Sequence, residues 1–192
     1  MKNALYRPAD IDRLQPRPEK RPRAGRHAFA RVEPPAYSAK MRAPFAVLGI
    51  RTTQAAVIGV DYLPLRERAL APADALAERA CRQLERYLAD PEFRFTLPLA
   101  PEGTTFRQRV WQALLQIPIG ESRTYGELAR QLHSAPRAIG GACGANPIAL
   151  VIPCHRVVGT HGSLGGFMGV TKGDPIAIKR WLLGHEGYRF GA

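Results

Sequence analysis

The stretch TYGELARQLHSAPRAIGGACGANPIALVIPCHRVV, residues 124–158, decides the fold of this chain. It predicts a short helix over Thr124–Leu132 and another that begins near Ser134, a good N-cap residue, and stops at Asn146-Pro147. Two short helices joined by a tight turn are the outline of a helix-turn-helix. The apolar run Ala149–Ile152 then predicts a buried, strand-like segment that leads directly into Pro153-Cys154-His155. We therefore expect a helix-turn-helix unit followed at once by a thiol.

The sequence on either side of this stretch predicts two more helices of the same module. The first follows the turn Pro101–Gly103, with Thr104 or Thr105 as its cap, and closes at Ile117-Pro118. Its apolar face is formed by Phe106, Val110, Trp111, Leu114 and Leu115. A final helix over Ile176–Leu183 precedes the sequence Gly184-His185-Glu186-Gly187.

A smaller module precedes these helices. Apolar runs at Ala46–Ile50 and Ala55–Val60 predict an antiparallel strand pair. The segment ADALAERACRQLERYLAD, residues 73–90, predicts an amphipathic helix, and FRFTLPL, residues 93–99, predicts a third strand by its alternation. We expect an α+β protein with an N-terminal α/β domain over residues 45–100 and a C-terminal helix-turn-helix domain over residues 101–192.

The positive charge of the chain is unevenly distributed. The 192 residues hold 28 Lys and Arg against 16 Asp and Glu, a formal charge of +12, of which +7 falls within residues 1–44. That segment mixes Arg and Pro with few apolar residues, so it cannot bury enough surface to offset its ordering entropy. We expect a flexible basic arm, and a polyanionic partner for the chain as a whole.

Composition excludes several other classes of protein. The longest apolar run, Ile148–Ile152, is far too short to span a membrane, and no secretory signal is visible after the first Met, so a cytoplasmic setting is expected. Three cysteines, at positions 81, 143 and 154, form neither an even disulfide framework nor a paired zinc motif. The cysteines are therefore expected to be free thiols, and the scattered histidines predict no metal site.

Cys154 is the strongest candidate for chemistry. A thiolate is the reactive form of cysteine, and the neighbouring His155 or the charge of Arg156 can raise its population. Glu186 follows at the end of the last helix, where its carboxylate can orient the imidazole of His155. Two plainer interpretations stay open at this point. Cys154 can be a buried structural thiol, and Glu186 can be a solvated carboxylate at a helix end.

Several motifs in the same order resemble one family over roughly residues 45–192. The most specific are Asn146-Pro147 and the sequence IPCHRVV, residues 152–158, supported by residues 103–129, by RAIGG at 137–141 and by WLLGHEG at 181–187. The chain resembles the O6-alkylguanine-DNA alkyltransferases, also called methylated-DNA–protein-cysteine methyltransferases. The resemblance implies a ribonuclease-H-like first module and a winged-helix-like second one.

The resemblance also implies a role for each catalytic residue. Cys154 would take the alkyl group from the guanine oxygen and keep it as a thioether, so that each molecule acts once. His155 would act as the base through a bridging water, and Glu186 would orient and charge it. Asn146 would tie the turn before the thiol to the helix-turn-helix.

The same resemblance implies how substrate is held. Tyr125 would help to neutralise the leaving base, and Arg137 would fill the space of a nucleotide flipped out of the duplex. Backbone carbonyls of Cys154 and Val157 would accept from the exocyclic amine, and the Met168 N–H would donate to the oxygen. All the expected DNA or substrate contacts are Tyr125, Arg137, Val157, Met168, Thr124, Ala138, Gly141 and Arg156.

Small residues on the recognition helix fit an approach to the minor groove, although close helix packing would also favour them. The implied partner is duplex DNA containing O6-alkylguanine, with no cofactor, no membrane and a monomeric protein. Two other classes of protein are weighed against this one. A non-enzymatic helix-turn-helix protein would need none of Cys154, His155 and Glu186, and a thiol hydrolase would need an oxyanion-hole loop that the sequence does not reveal.

Overall fold

The computed structural model of this chain describes residues 36–161 and 163–189. Its elements are β1 Ala39–Arg42, β2 Val47–Thr52, β3 Val57–Leu63, α1 Ala75–Ala89, α2 Thr105–Leu115, β4 Arg123–Thr124, α3 Tyr125–Gln131, α4 Pro136–Gly144, β5 Val157–Val158 and α5 Asp174–His185. A three-stranded antiparallel sheet with one helix is followed by a helical module, which confirms the expected α+β class. Within the described residues, no helix is long and apolar enough to cross a membrane.

The sheet has the strand order β1-β2-β3, with Ile50 of β2 paired to Ala39 of β1 and to Val60 of β3. Its first strand corrects the predicted extent of the arm. Ala39–Arg42 was expected to be flexible, but Ala39 and Met41 are buried, and the backbone of this segment pairs with β2. A short strand needs few apolar residues when both its pairing and its inward side chains are supplied by neighbours. Residues 1–35 of the predicted arm lie outside the described residues.

The predicted third strand over residues 93–99 is wrong. This segment makes a single bridge to the sheet, between Leu99 and Val57, and is held instead by α1. Gln83 of α1 accepts a hydrogen bond from the Thr96 backbone and donates one to its hydroxyl, both at 2.8 Å. The alternating aromatic residues Phe93 and Phe95 pack edge to face with each other at 5.7 Å. The alternation of these aromatic residues therefore reflects packing against α1 and not hydrogen-bonded pairing in a β-sheet.

Capping side chains fix where two helices of the helical module begin. Thr104 caps α2, and Thr124 caps α3 in a capping box with Glu127. The predicted cap of α4 at Ser134 is wrong, because the N-cap is Ala135 and it makes no side-chain cap. Pro136 sets this start instead, since its fixed φ suits the first helical turn and its missing N–H leaves no donor unpaired there.

The segment that leads into the thiol also differs from the prediction. Residues 148–152 are buried, but they form turns and isolated bridges rather than a strand. Val60 donates to the Pro147 carbonyl at 2.9 Å, and Ala149 donates back to Val60 at 3.0 Å. The sheet thus anchors this segment directly. The boundary expected near residue 100 stays a prediction.

Candidate active site

Cys154 begins a short 3-10 turn, Cys154–Arg156, and lies 6% exposed against a cavity of about 290 Å³. The turn is continued by β5, which pairs in parallel with β4 and so places the first turn of α3 beside the thiol. The cavity is bounded by α3, by α4 and by the segment that precedes α5. Its lining residues are Tyr125, Pro136, Gly140, Cys143, Gly144, Cys154, Gly166, Phe167, Met168 and Gly169.

Asn146 holds the thiol in place from the end of α4. Its Nδ2 donates to the Ile152 carbonyl at 2.8 Å and contacts the Cys154 Sγ at 3.3 Å, while its Oδ1 accepts from the Ile148 N–H at 3.1 Å. One amide side chain therefore bridges the turn before the thiol and the thiol itself. This is the tie that the resemblance implied for Asn146.

His155 and Glu186 form a buried pair next to the thiol. The His155 Nε2 lies 3.0 Å from the Glu186 Oε1, and both side chains are fully buried. Burial lowers the pKa of His155 despite the opposing effect of Glu186, so the imidazole is neutral near pH 7. A neutral imidazole that donates from Nε2 to a carboxylate carries its lone pair on Nδ1. That atom is buried and makes no hydrogen bond to the described residues.

Glu186 accepts hydrogen bonds from two other residues. The Arg156 Nε donates to Oε2 and its Nη2 donates to Oε1, both at 2.8 Å, and the Tyr87 hydroxyl donates to Oε1 at 2.7 Å. Burial alone raises the pKa of Glu186, but the hydrogen bonds from His155 and Arg156 outweigh it and hold the pKa far below its usual range. The interpretation of Glu186 as a solvated carboxylate is therefore wrong.

Lys179 of α5 is a buried cation whose charge favours the thiolate form of Cys154. It is 0% exposed, and its Nζ donates to the carbonyls of Val157 and Leu164 at 2.5 Å and of Gly166 at 3.0 Å. Burial lowers the pKa of Lys179 to about 8. Burial likewise raises the pKa of Cys154, while the hydrogen bond from Asn146 and the charge of Lys179 oppose that shift. Cys154 is therefore protonated before the reaction, and these two neighbours stabilise its thiolate form.

Two further groups of the cavity keep their protons near neutral pH. Burial raises the pKa of Tyr125, whose hydroxyl donates to the Gly166 carbonyl at 2.8 Å. Burial also raises the pKa of Cys143, which lines the same cavity as Cys154. Cys143 is therefore a second thiol of the cavity that stays protonated near neutral pH, and Cys81 is a core residue of α1.

The exposed face of α4 carries one long side chain and several small residues. Arg137, Ala138, Gly141 and Gly144 are exposed, whereas Ile139 and Ala142 of the same helix are buried. A Cβ added to Gly141 would meet no atom within 4 Å, so packing within the described protein does not require glycine there. The opposite face packs against α2, where the Trp111 Nε1 donates to the Ala142 carbonyl at 2.9 Å.

Known proteins match this arrangement. The family profile "6-O-methylguanine DNA methyltransferase, DNA binding domain" matches residues 105–188. The methylated-DNA–protein-cysteine methyltransferase of Methanosarcina barkeri is 44% identical over 65% of this chain and 80% of its own. The crystal structure of Mycobacterium tuberculosis O6-methylguanine methyltransferase is 36% identical, with a TM-score of 0.66 over 77% of this chain and 90% of its own. The same organism's OGT in complex with DNA is 38% identical, again with a TM-score of 0.66 over 77% and 90%.

The chain belongs to the methylated-DNA–protein-cysteine methyltransferase family. The structure brings together the four residues for which a catalytic role in this family was expected, Cys154, His155, Glu186 and Asn146. Tyr125 and Met168 line the cavity with them, and Met168 has a φ of 51°, which turns the backbone sharply at the cavity edge. The Val157 carbonyl faces Lys179, and Thr124 caps α3.

Arg156 needs correction on two counts. It was expected to contact DNA or substrate, but it is 9% exposed, and Nε, Nη1 and Nη2 are all used inside the protein, on Glu186 and on the Ile117 carbonyl. Its charge was also expected to favour the thiolate. That charge is instead paired with Glu186, and the cation that opposes the rise in the pKa of Cys154 is Lys179.

Sequence reasoning missed Lys179 and Tyr87 as parts of this methyltransferase site. A signal for both was present in the helical period. Lys179 lies three and four positions before the buried Leu182 and Leu183, and Tyr87 lies three positions after the buried Leu84. A polar group on the buried face of a predicted helix needs a partner, and this need marks it as part of a network.

Proposed function

We propose that this chain repairs DNA by transferring an alkyl group from O6 of guanine to the Sγ of Cys154. The observation that carries the proposal is the buried thiol of Cys154 at a cavity, with the His155–Glu186 pair beside it. A protein that only binds DNA needs no thiol with a histidine–glutamate pair beside it. Membership in the methyltransferase family and the matching structure in complex with DNA support the same reaction.

The proposed reaction is a direct displacement at the alkyl carbon. The Sγ–carbon bond forms as the carbon–O6 bond breaks, and the electron pair of that bond goes to the guanine. The thiol proton moves to the His155 Nδ1 through a bridging water, because Nδ1 holds the free lone pair and the pKa of His155 leaves it neutral. Glu186 then stabilises the imidazolium that forms. The thioether has no good leaving group, so transfer is stoichiometric and irreversible.

The leaving guanine must take up charge as its bond to carbon breaks. Tyr125 would donate a hydrogen bond from its hydroxyl to a ring nitrogen, and its position in the cavity lining and its raised pKa support this role. The backbone carbonyl of Cys154 would accept from the exocyclic amine, as would that of Val157 in addition to its hydrogen bond from Lys179, and the Met168 N–H would donate to O6. These contacts favour guanine over bases that lack the amine.

The alkylated base has to leave the duplex before it can reach a buried thiol. Flipping costs a few kcal/mol, and a side chain that fills the gap offsets part of that cost. Arg137 stands exposed at the start of α4, next to the small residues Ala138, Gly141 and Gly144. Such a face allows the close approach of a helix backbone to the minor groove, and it presents few donors and acceptors for reading sequence. Repair is thus independent of sequence.

The test is the mass of the Cys154 peptide after incubation with a duplex that contains O6-methylguanine. One added methyl group per protein molecule is expected, and a Cys154→Ser variant should bind the duplex while transferring nothing. An unmodified peptide after prolonged incubation would overturn the proposal in favour of a DNA-binding protein without catalysis. Repeated turnover of a small ester would instead indicate a thiol hydrolase. The monomeric state and the cytoplasmic setting stay predictions.

A further inference from the structure

Lys179 has a place in this site that neither the family resemblance nor the proposed reaction assigns. We propose that Lys179 is a positioning residue for alkyl transfer, whose ammonium group fastens the cavity wall, residues 166–169, and frees Tyr125 to donate to the departing base. The inference rests on the proposed function and names a further residue of the same site. Three observations carry it.

The first observation is what the ammonium group holds. Its three hydrogen bonds go to backbone carbonyls, those of Val157, Leu164 and Gly166. Val157 follows the catalytic turn directly, whereas Leu164 and Gly166 lead into the cavity wall. A single buried group therefore joins the strand after the thiol to the cavity wall. Because burial of an ammonium group is costly unless its donors are satisfied, these bonds fix the wall at one distance from Cys154.

The second observation is that Lys179 and Tyr125 share an acceptor. The Gly166 carbonyl accepts from the Tyr125 hydroxyl at 2.8 Å and from the Lys179 Nζ at 3.0 Å. A hydroxyl has one hydrogen, so Tyr125 must leave Gly166 when it donates to the base. The carbonyl then keeps its bond to Lys179 and is not left without a partner. Lys179 thereby lowers the free-energy cost of moving the Tyr125 hydrogen bond from the Gly166 carbonyl to the base.

The third observation concerns charge. The Lys179 Nζ lies 5.7 Å from the ring centroid of Tyr125 and 6.0 Å from that of Phe167, two side chains that line the cavity of Cys154. Its hydrogen-bond partners are neutral carbonyls, so no carboxylate among them cancels its field within the described part of the chain. When the thiol proton moves to His155, the thiolate forms in the cavity that these two rings line. The field of Lys179 also favours hydrogen-bond donation by the Tyr125 hydroxyl.

The experiment compares Lys179→Met, which has nearly the same length but no charge and no donors, with Lys179→Arg, which retains both. Lys172→Met is the matched control, because Lys172 is exposed in the same part of the chain. Three quantities are measured on folded protein: the Kd for a methylated duplex, the first-order rate of methyl transfer at saturating duplex, and the rate at which iodoacetamide modifies Cys154. Iodide leaves without a proton, so the last reaction does not need Tyr125.

Lys179→Met is expected to slow methyl transfer at least tenfold while the Kd for DNA stays within about twofold of wild type. The loss with iodoacetamide should be smaller, Lys179→Arg should recover part of the transfer rate, and Lys172→Met should transfer as wild type does. Combined with Tyr125→Phe, Lys179→Met should slow transfer by less than the product of the two separate losses.

Wild-type transfer by Lys179→Met would overturn the inference, and so would equal losses with duplex and iodoacetamide or fully multiplicative losses with Tyr125→Phe. If Lys179→Met does not fold, Lys179→Gln carries the same comparisons, because its amide keeps two donors without the charge. If the wild-type protein itself transfers no methyl group, the proposed function fails and the inference falls with it. A failure confined to the Lys179 variants leaves the proposed function intact.

Discussion

At the scale of single residues, Glu186 is a buried carboxylate on which both the stability of the protein and the proposed chemistry depend. Four donors from three residues meet it: His155 Nε2, two nitrogens of Arg156 and the Tyr87 hydroxyl. Removing one partner of a buried ion pair leaves the other charge uncompensated, and this costs more than the pair itself contributes. Glu186 therefore cannot be replaced without consequences for Arg156.

Replacing Glu186 by Gln should lower the free energy of unfolding at pH 7 by about 3–5 kcal/mol, because Arg156 is left buried without a counter-charge. The folded-state pKa of Glu186 lies below its unfolded value, so its contribution is complete above that value, about 4.3, and is lost as pH falls towards the folded value. The difference between the two proteins should therefore shrink below about pH 4.3. Urea unfolding at a series of pH values, from neutral down to about pH 3, measures it.

Glu102→Gln is the control for this series, because Glu102 is exposed and its substitution should leave the unfolding free energy nearly unchanged. A difference between wild type and Glu186→Gln that stays constant down to about pH 3 would contradict the prediction. His155 adds to the acid sensitivity of the wild type. Its folded pKa is lowered, so stability also falls as pH drops below its unfolded value of about 6.5.

At the scale of elements, α1 contributes to the site although it belongs to the first module. Tyr87 donates to Glu186, and its carbonyl lies 2.7 Å from the His185 Nε2 at the end of α5. These two hydrogen bonds join residues nearly a hundred positions apart in the sequence. Helix α1, which packs against the sheet, thus also holds the carboxylate of Glu186 in place.

Tyr87→Phe should lower the free energy of unfolding by about 1.5–3 kcal/mol, the usual contribution of a hydrogen bond to a charged group. The ring stays in place against Phe95, so packing is retained. Urea unfolding at pH 7 gives the value. Tyr62→Phe is the comparison, because the Tyr62 hydroxyl is buried but makes no hydrogen bond within the described residues. A loss for Tyr87→Phe of under about 0.5 kcal/mol would show that water or another donor replaces the hydroxyl.

The exposed face of α4 makes a second prediction at this scale. Gly141→Ala should stabilise the protein by about 0.5–1 kcal/mol, because glycine is unfavourable inside a helix and the site is open. Gly141→Leu should fold as well but should weaken DNA binding at least tenfold, since its side chain would stand between the helix backbone and the groove. Fluorescence anisotropy with a labelled duplex measures the Kd.

Gln112→Leu introduces the same side chain at an exposed position of α2 and should leave the Kd for DNA within about twofold. If Gly141→Leu binds as tightly as wild type, α4 does not approach the duplex through this face. The proposed entry of α4 into the minor groove would then be wrong. The transfer chemistry of Cys154 would still stand.

At the scale of the whole molecule, charge is divided between the described protein and the segment before it. Residues 1–35 carry a formal charge of +5, and residues 36–192 carry +7. Deleting residues 1–35 should weaken binding to duplex DNA and flatten its salt dependence by about 0.9 for each phosphate that the arm neutralises, because fewer counterions are released. The transfer rate at saturating DNA should be unchanged. Titrations from about 50 to 200 mM salt test this.

An unaltered salt slope would contradict that prediction. A longer deletion, of residues 1–44, provides a contrast that only the structure suggests. It removes β1, whose Ala39 and Met41 are buried in the sheet, and should therefore also destabilise the protein. The two deletions separate the effect of charge from the effect of the strand.

The sequence by itself determined the features that depend on near neighbours. The amphipathic period of α1, the cap of α2 at Thr104 or Thr105, and the motif that places Cys154 beside His155 are all visible within a few positions. Each of these signals comes from an interaction between residues at most four positions apart, so it survives without knowledge of the fold. The same local patterns misled at residues 93–99, where packing on α1 produced a strand-like alternation.

Only the tertiary structure decided which charges act on the thiol and which residues hold Glu186. Arg156 is next to His155 in sequence, yet its guanidinium is bound to Glu186, whereas the charge that opposes the rise in the pKa of Cys154 comes from Lys179, which is distant in sequence. Tyr87 was likewise placed by a partner far along the chain, the carboxylate of Glu186. Long-range interactions of this kind depend on how elements pack, because burial decides whether a charge is screened by water or felt in full by its neighbours.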